Sequence, residues 1–437
     1  MKQSNKALIG SLSLTILLVV LTALTLKDSA ERYTANAPSA TPTVTPTPTH
    51  VHTRPPQAPT ATPTRTPRPS LTPTSTATPN PLGDGFLWYS DENITVYTRE
   101  NRLCLLEDGG TPVFFADVSD TLDFDVTVSP DGAVVVVVLT YDIWPDERMR
   151  FLNQEIWAIN QDGSNRRLVL TMDDFEGVSL ENAALEILQA TWIPGTHLLA
   201  FTTGERPLGD FYYGDLHMLD IDTGAYTVLL PADGWGGPFY PSPDGTRIAV
   251  TTQGSVDLIN VDGSNYREGV VTYDVALTYS ESNVTARPVW SPDSEGVWVT
   301  VPPPDQFHGD TTITTWYAPA NGSEAIQIAA FETQPLNLWS NNFAVFSPDG
   351  AYVALWESGD DIAAIRVVSA DGVEEHFYYP IRGRIGFLRW EPDSRHFIFR
   401  TGDRVNLQRG EVDGGFVPLA AVEPIPEVPA QGCAPEG

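Results

Sequence analysis

A short phrase built on proline, aspartate and glycine recurs six times, and it constrains the fold more than any other feature of the sequence. Proline presets the backbone for a turn, and Asp-Gly supplies a residue that tolerates positive φ. Each copy therefore predicts a tight β-hairpin. The copies are Val128-Ser129-Pro130-Asp131-Gly132, Trp192-Ile193-Pro194-Gly195, Pro241-Ser242-Pro243-Asp244-Gly245, Trp290-Ser291-Pro292-Asp293-Ser294, Phe346-Ser347-Pro348-Asp349-Gly350 and Trp390-Glu391-Pro392-Asp393-Ser394.

Each turn is followed by an apolar, β-prone run, and these runs are the predicted second strands of repeating units. A third run ends in another turn, as in Ile156 to Gly163 and Val256 to Gly263, and a fourth run follows it. Successive prolines of the phrase lie 44 to 64 residues apart. Four short strands in a unit of this length predict a blade of an all-β propeller.

Four more strands precede the first phrase, at Phe86 to Ser90, Ile94 to Thr98, Arg102 to Leu106 and Pro112 to Ala116. They make seven four-stranded blades, or six if this segment shares strands with the last unit to close the ring. We expect the propeller to occupy residues 82–420, followed by a C-terminal tail at 421–437.

The phrase Ser-Pro-Asp-Gly, an apolar strand, and then a strand ending in Asp-Gly-Ser-Asn resemble the TolB-like (WD-repeat-like) propeller repeat of bacterial extracytoplasmic proteins. The resemblance covers roughly Gly85 to Leu419 and its motifs consist of turn residues. It implies the fold, and it implies a binding scaffold or a non-catalytic domain of the kind attached to peptidases. Because propellers serve many roles, the resemblance does not indicate a ligand.

The N-terminus predicts a membrane anchor. Lys2 and Lys6 precede an apolar run at residues 7–26, which is long enough to cross a bilayer of about 30 Å as a helix. The positive-inside bias keeps residues 1–6 in the cytoplasm and places the rest outside a single-pass cell membrane protein. A cleaved signal peptide is the alternative, although Lys27-Asp28-Ser29-Ala30 is a poor cleavage site.

Residues 27–81 are predicted to form a disordered linker, rich in threonine and proline from Ala37 to Pro81. The chain has a formal net charge of −31 and lacks lysine beyond residue 81. Phosphate backbones need cationic side chains for neutralisation, so this composition excludes nucleic acid as a partner.

Only two cysteines occur in the chain, Cys104 in a predicted third strand and Cys433 in the tail. An extracytoplasmic location is oxidising, and a propeller ring brings its first and last blades together. We therefore expect a disulfide between Cys104 and Cys433 that staples the ring, with two unpaired thiols as the alternative.

Strands alternate in direction within a blade, so the first and third turns open on one face, the turn face. The connections between second and third strands and between blades open on the opposite face, the loop face. Long connections all fall on the loop face, which is typical of a binding face on a repeat protein. They are Thr140 to Gln154, Thr171 to Leu188, Gly204 to Gly214, Pro231 to Phe239, Pro302 to Thr311 and Glu332 to Asn341.

Aromatic rings beside carboxylates in these connections suit carbohydrate stacking, peptide docking or a cationic ligand. The alternative is that the rings only pack the loops against the blades. The candidate binding residues are Trp144, Asp146, Asp173, Asp174, Phe175, Asp210, Phe211, Tyr212, Tyr213, Trp235, Phe307, His308, Asp310 and Trp339.

The sequence offers no nucleophile elbow and no His-Glu-x-x-His, and its histidines are scattered. We therefore expect neither enzymatic activity nor a metal or other cofactor. The predicted function is a displayed binding or protein-interaction scaffold for a polysaccharide, a peptide or an envelope protein. A glycan-active hydrolase or lyase and a structural spacer are the alternatives.

Overall fold

The structure is a computed structural model that describes one part of the chain. The described residues are 87–90, 93–108, 110–146, 149–171, 185–205, 212–232, 236–274, 276–277, 283–303, 311–333, 343–358, 363–381, 385–401, 406–419, 429 and 431–434. They belong to the second of two compact units, Arg68–Gly437. The predicted anchor and linker lie outside them. Within the described ranges, no helix is long and apolar enough to span a bilayer.

The first four blades are four-stranded antiparallel sheets. Blade 1 comprises β1 (Leu87–Ser90), β2 (Ile94–Arg99), β3 (Arg102–Glu107) and β4 (Val113–Asp117). Blade 2 comprises β5 (Thr121–Val128), β6 (Val134–Asp146), β7 (Met149–Asn160) and β8 (Arg167–Thr171). Blade 3 comprises β9 (Leu185–Trp192), β10 (Leu198–Glu205), β11 (Tyr212–Asp220) and β12 (Tyr226–Leu230). Blade 4 comprises β13 (Phe239–Pro241), β14 (Arg247–Thr251), β15 (Ser255–Asn260) and β16 (Arg267–Thr272).

A two-stranded hairpin, β17 (Ala276–Leu277) and β18 (Asn283–Val284), separates blade 4 from the last three blades. Blade 5 comprises β19 (Arg287–Trp290), β20 (Gly296–Val301), β21 (Thr312–Pro319) and β22 (Ile326–Glu332). Blade 6 comprises β23 (Ala344–Phe346), β24 (Tyr352–Ser358), β25 (Ala363–Ser369) and β26 (Glu375–Ile381). Blade 7 comprises β27 (Ile385–Trp390), β28 (His396–Thr401), β29 (Asn406–Glu411) and β30 (Phe416–Pro418).

Every blade is built from consecutive strands, and the order within each sheet follows the chain or its reverse. Blade 1 is complete without a C-terminal strand, and blade 7 is complete without an N-terminal one. The count is therefore seven, and the prediction of seven blades rather than six is confirmed. Among the described strands, no sheet combines the two ends of the chain.

The recurring phrase closes the hairpin between the first two strands, as its residues predict. In blade 4, the Ser242 hydroxyl donates to Asp244 Oδ1 at 2.6 Å and accepts from the Arg247 amide at 3.0 Å. The Gly245 amide donates to the Ser242 carbonyl at 2.9 Å. These bonds satisfy the turn's polar groups locally, so the turn stays short and rigid.

Two copies of the phrase carry serine in place of glycine, and the serine makes a contact that glycine cannot. Ser294 and Ser394 adopt positive φ of 60° and 58°. Their hydroxyls accept from the backbone amides of Asp244 at 3.1 Å and Asp349 at 3.0 Å, each in the preceding blade. The hydrogen bond between blades offsets part of the strain of a left-handed serine.

The tryptophan that opens three copies of the phrase also joins neighbouring blades. The indole N–H of Trp290 donates to the Tyr240 carbonyl at 2.7 Å, and that of Trp390 donates to the Val345 carbonyl at 3.0 Å. Trp192 donates to Thr127 Oγ1 at 2.9 Å. In each case the acceptor lies on the first strand of the preceding blade.

The apolar core is divided into separate clusters that lie between successive blades, and it does not form a single central cluster. Residues such as Leu103 of blade 1 and Val135 of blade 2 share one buried cluster, and equivalent clusters join each following pair through blades 6 and 7. Each of these clusters therefore joins two successive blades, as in other repeat proteins.

The C-terminal tail covers the side of blade 1 that faces away from blade 2. Cys104 and Cys433 are bonded, with Cα atoms 5.7 Å apart, and they form a buried cluster with Tyr97. The Tyr97 hydroxyl donates to the Gln431 carbonyl at 2.6 Å, and Arg102 donates to the Cys433 carbonyl at 3.2 Å. The tail thus attaches the C-terminus to the first blade.

Candidate functional site

The structure describes the strands that carry four of the predicted binding residues. Trp144 and Asp146 lie at the end of β6, and Tyr212 and Tyr213 begin β11. Both positions are at the loop-face ends of neighbouring blades. The other predicted residues lie outside the described chain. They are Asp173, Asp174, Phe175, Asp210, Phe211, Trp235, Phe307, His308, Asp310 and Trp339.

The prediction of a long connection from Thr140 to Gln154 is wrong, because this stretch continues the β6–β7 hairpin. Thr140 pairs directly with Gln154, and the pairing continues to Asp146 opposite Met149. The segment keeps β-prone residues on both sides of its tip, so strand pairing satisfies its backbone groups.

This hairpin projects from the loop face as a ribbon of two strands. Within the described residues, strand β5 pairs with β6 as far as Tyr141, and β8 pairs with β7 from Glu155 onward. Residues 142–146 therefore extend beyond the four-stranded part of the blade. At about 3.3 Å per residue they rise roughly 16 Å. Trp144 and Asp146 belong to this projecting part.

Two buried side chains, those of Gln154 and Thr140, connect the base of the hairpin to blade 3. Gln154 is 4% exposed, and its amide nitrogen donates to Thr140 Oγ1 at 3.0 Å. Its amide oxygen accepts from the backbone amide of Ile187, on the first strand of blade 3, at 2.6 Å. The projecting ribbon is thus rigidly oriented where it leaves the blade.

A second glutamine repeats this link between blades 3 and 4. The Gln189 side chain donates to the Phe239 carbonyl at 2.7 Å and accepts from the Phe239 amide at 3.2 Å. Here the side-chain amide pairs with backbone groups as a strand would. No sequence pattern distinguishes such a glutamine from a solvent-exposed glutamine. Sequence reasoning therefore missed both Gln154 and Gln189.

The small hairpin β17–β18 was also missed. It lies in the connection between β16 and β19, which belongs to the loop face. Strands of two residues are too short to show a periodicity in sequence. The hairpin adds a further structured connection to the loop face, which the sequence predicts to be the binding face.

On the turn face, a groove of about 410 Å³ spans three blades. It is lined by Glu107 of blade 1, Asn160 and Asp162 of blade 2, and His197 and Asp222 of blade 3, together with Ala133, Val134 and Gln161. His197 bonds Asp222 through Nδ1 at 2.8 Å and reaches Asp131 through Nε2 at 3.2 Å. Asp131, His197 and Asp222 are far apart in the chain, so no local sequence pattern predicts that they converge.

One cluster has the composition of a metal site. The side chains of Glu391, Asp393 and His396 place ligand atoms within 4.8 Å of one another. Both oxygens of Glu391 accept from Arg409, at 2.9 and 2.6 Å. Asp393 accepts from His396 Nδ1 at 2.6 Å, and its other oxygen accepts the backbone amides of its own turn. These bonds account for the cluster as structural ion pairing.

Other histidines of the described chain also make structural contacts. His217 is 4% exposed and stacks on Phe201 with ring centroids 4.8 Å apart, and burial lowers its pKa. His376 of blade 6 approaches Asp413 of blade 7 at 3.5 Å and meets the Tyr352 ring edge-on.

No family model and no curated protein matches the chain. Among solved structures, it is similar to TolB from Acinetobacter baumannii, at 15% identity over 76% of this chain and 77% of that one, with a TM-score of 0.36. It is similar to the β-propeller domain of the Trilobed protease from Pyrococcus furiosus, which has an open velcro topology, at 15% identity over 66% and 80%, with a TM-score of 0.40.

A third similar structure is dipeptidyl peptidase 4 from Porphyromonas gingivalis, at 12% identity over 76% of this chain and 51% of that one, with a TM-score of 0.43. At such identities the similarity concerns the fold alone. TolB is thus among the structural neighbours, in line with the sequence resemblance. The assignment of a seven-bladed propeller rests on the strand pairing of the chain itself.

Proposed function

We propose that the protein is a binding or interaction scaffold, displayed outside the cell membrane by its N-terminal anchor, and that it engages its ligand through the loop face. The observation that carries the proposal is the β6–β7 hairpin, which projects beyond the sheet of blade 2. The backbone of this ribbon extends from the face that carries the long connections, and such segments often carry binding residues on a rigid scaffold.

The opposite face supports the choice of the loop face. The turn-face connections, such as 129–133, 242–246 and 261–266, are short and closed by hydrogen bonds within the turn. Several of their side chains also join neighbouring blades, as Ser294 and Ser394 do. The short turns offer little chain for recognition, whereas the longer connections of the loop face offer more, which favours the loop face.

The chemistry of the loop-face residues favours an uncharged or cationic ligand. The hairpin tip reads Trp144-Pro145-Asp146-Glu147-Arg148, and the chain as a whole carries a formal net charge of −31. Aromatic rings stack on sugars and peptide side chains, and carboxylates attract cations. A polysaccharide, a peptide or an envelope protein fits this surface.

The test is a screen of the full-length protein on glycan and peptide arrays, with and without calcium, followed by a product assay on each hit. Trp144→Ala and Tyr212→Ala are the loop-face variants. Val373→Ala is the matched control, since Val373 is 79% exposed on the turn face. We expect hits that both loop-face variants weaken and the control preserves. Turnover of a hit contradicts the proposal in favour of an enzyme, and an absence of hits favours a spacer.

A further inference from the structure

A histidine on the turn face lies between carboxylates from two different blades. His197 follows the Pro194-Gly195 turn of blade 3 and precedes β10. Its Nδ1 is 2.8 Å from Asp222 Oδ2, in the last turn of the same blade. Its Nε2 is 3.2 and 3.3 Å from the two carboxylate oxygens of Asp131, in the first turn of blade 2.

This geometry requires two protons on the imidazole ring. A neutral imidazole has one N–H donor and one lone pair, whereas an ionised carboxylate only accepts hydrogen bonds. With both ring nitrogens facing carboxylates, the neutral ring directs a lone pair at one of them. Only the imidazolium satisfies Asp131 and Asp222 together.

Both carboxylates have further partners beside His197, and two more acidic side chains line the groove. Arg167 Nη2 lies 3.8 Å from Asp222 Oδ1 and also donates to the Ile221 carbonyl. Glu107 and Asp162 line the same groove. Asp131 accepts from the Ser129 hydroxyl at 2.7 Å and from the Ala133 amide at 3.0 Å.

The direction of the pKa shift of His197 agrees with this geometry. Partial burial lowers the pKa of His197, but the hydrogen bonds to Asp222 and Asp131 outweigh burial and raise the pKa above its ordinary value. The side chain is 26% exposed, so the ring exchanges protons with solvent. A raised folded-state pKa contributes stability that is complete below the unfolded value of about 6.5 and is lost as pH rises through the folded value.

We propose that His197 is a proton-controlled bridge between blades 2 and 3, which fastens the turn face at this seam in mildly acidic surroundings and releases it as the pH rises. The apolar cluster between the two blades persists in both states, so only the turn-face end of the seam responds.

The test follows the His197 titration by NMR in the full-length protein labelled with ¹³C at histidine. His197→Gln assigns the resonance by removing it. Asp131→Asn removes the partner in blade 2 and retains the shape of its turn. Asp244→Asn is the matched control, because Asp244 makes the same turn bonds, to Ser242 at 2.6 Å and to the Thr246 amide at 3.0 Å.

We expect a His197 midpoint above about 6.5 in the wild type, a lower midpoint in Asp131→Asn and the wild-type midpoint in Asp244→Asn. The thermal midpoint of the wild type exceeds that of His197→Gln by most at acidic pH, and the difference shrinks as the pH rises. A wild-type midpoint at or below the ordinary value, an unshifted midpoint in Asp131→Asn, or a pH-independent difference overturns the proposal.

Discussion

Cys433 of the tail is bonded to Cys104 of strand β3, across a sequence separation of 329 residues. Both side chains are buried, and the backbone amide of Cys433 donates to Cys104 Sγ at 3.2 Å. Because no sheet among the described strands combines the two ends of the chain, this bond is the covalent link between the tail that follows blade 7 and blade 1.

Removing the disulfide should therefore lower stability. A bond that closes so long a loop restricts the unfolded chain, and its loss costs about 2–4 kcal/mol. We expect Cys104→Ser, Cys433→Ser and the double variant to show similarly lowered thermal midpoints. The comparison is made by calorimetry with and without dithiothreitol. An unchanged midpoint in the variants argues that the tail's hydrogen bonds close the ring without the disulfide.

Gly350 should tolerate alanine much less well than Gly132, although both have positive φ, of 71° and 78°. A Cβ at Gly350 comes within 2.2 Å of Trp298 in the preceding blade, whereas a Cβ at Gly132 meets nothing within 4 Å. Both variants carry the backbone cost of about 1–2 kcal/mol, and overpacking adds about 1–3 kcal/mol at Gly350 alone.

Urea denaturation of Gly350→Ala and Gly132→Ala measures this difference directly. Equal losses of unfolding free energy in the two variants contradict the close packing of blades 5 and 6 at this turn.

Trp390→Phe should destabilise the protein more than Trp316→Phe. Phenylalanine leaves the buried Val345 carbonyl without the Trp390 indole donor, which costs about 1–3 kcal/mol. The Trp316 indole donates to Thr314 on its own strand, in a partly buried position that water reaches more readily. Chemical denaturation compares the unfolding free energies of the two variants. A larger loss in Trp316→Phe contradicts the proposed role of Trp390 in joining blades 6 and 7.

The turn aspartates should make the protein sensitive to acid. Hydrogen bonds from Ser291 and from the Glu295 amide hold the pKa of Asp293 below its ordinary value. A depressed folded-state pKa contributes stability that is present above the unfolded value of about 3.9 and is lost as pH falls through the folded value. Thermal midpoints measured from about pH 6 to pH 3 should fall less steeply in Asp293→Asn than in the wild type. Identical slopes contradict this assignment.

The repeat architecture was readable from the sequence because its turns are chemically local. Pro243, Asp244 and Gly245 set their own backbone, so the hairpins and most strand positions follow from residues a few places apart. The cysteine pair was readable because only one pairing exists. The role of Ser294 and Ser394, by contrast, depends on hydrogen bonds from backbone amides in the preceding blade and could not be predicted from nearby residues.

The details of the candidate site depended on contacts that sequence cannot supply. The stretch from Thr140 to Gln154 was predicted to be a connection, yet strands β6 and β7 continue through it to Asp146 and Met149. The partnership of His197 with Asp131 depends on the packing of two blades. Neither feature has a local pattern.

The proposed ligand-binding surface is the loop face, and the β6–β7 hairpin is its most prominent described element. Tyr141 pairs directly with Asn153, so an Asn-Gly turn joining them removes residues 142–152 and preserves the register below. The decisive measurement compares array binding by this shortened protein, by the wild type and by the Val373→Ala control at matched thermal stability. The account predicts that the hits of the wild type weaken about tenfold or more in the shortened protein alone. Equal binding by all three proteins contradicts it.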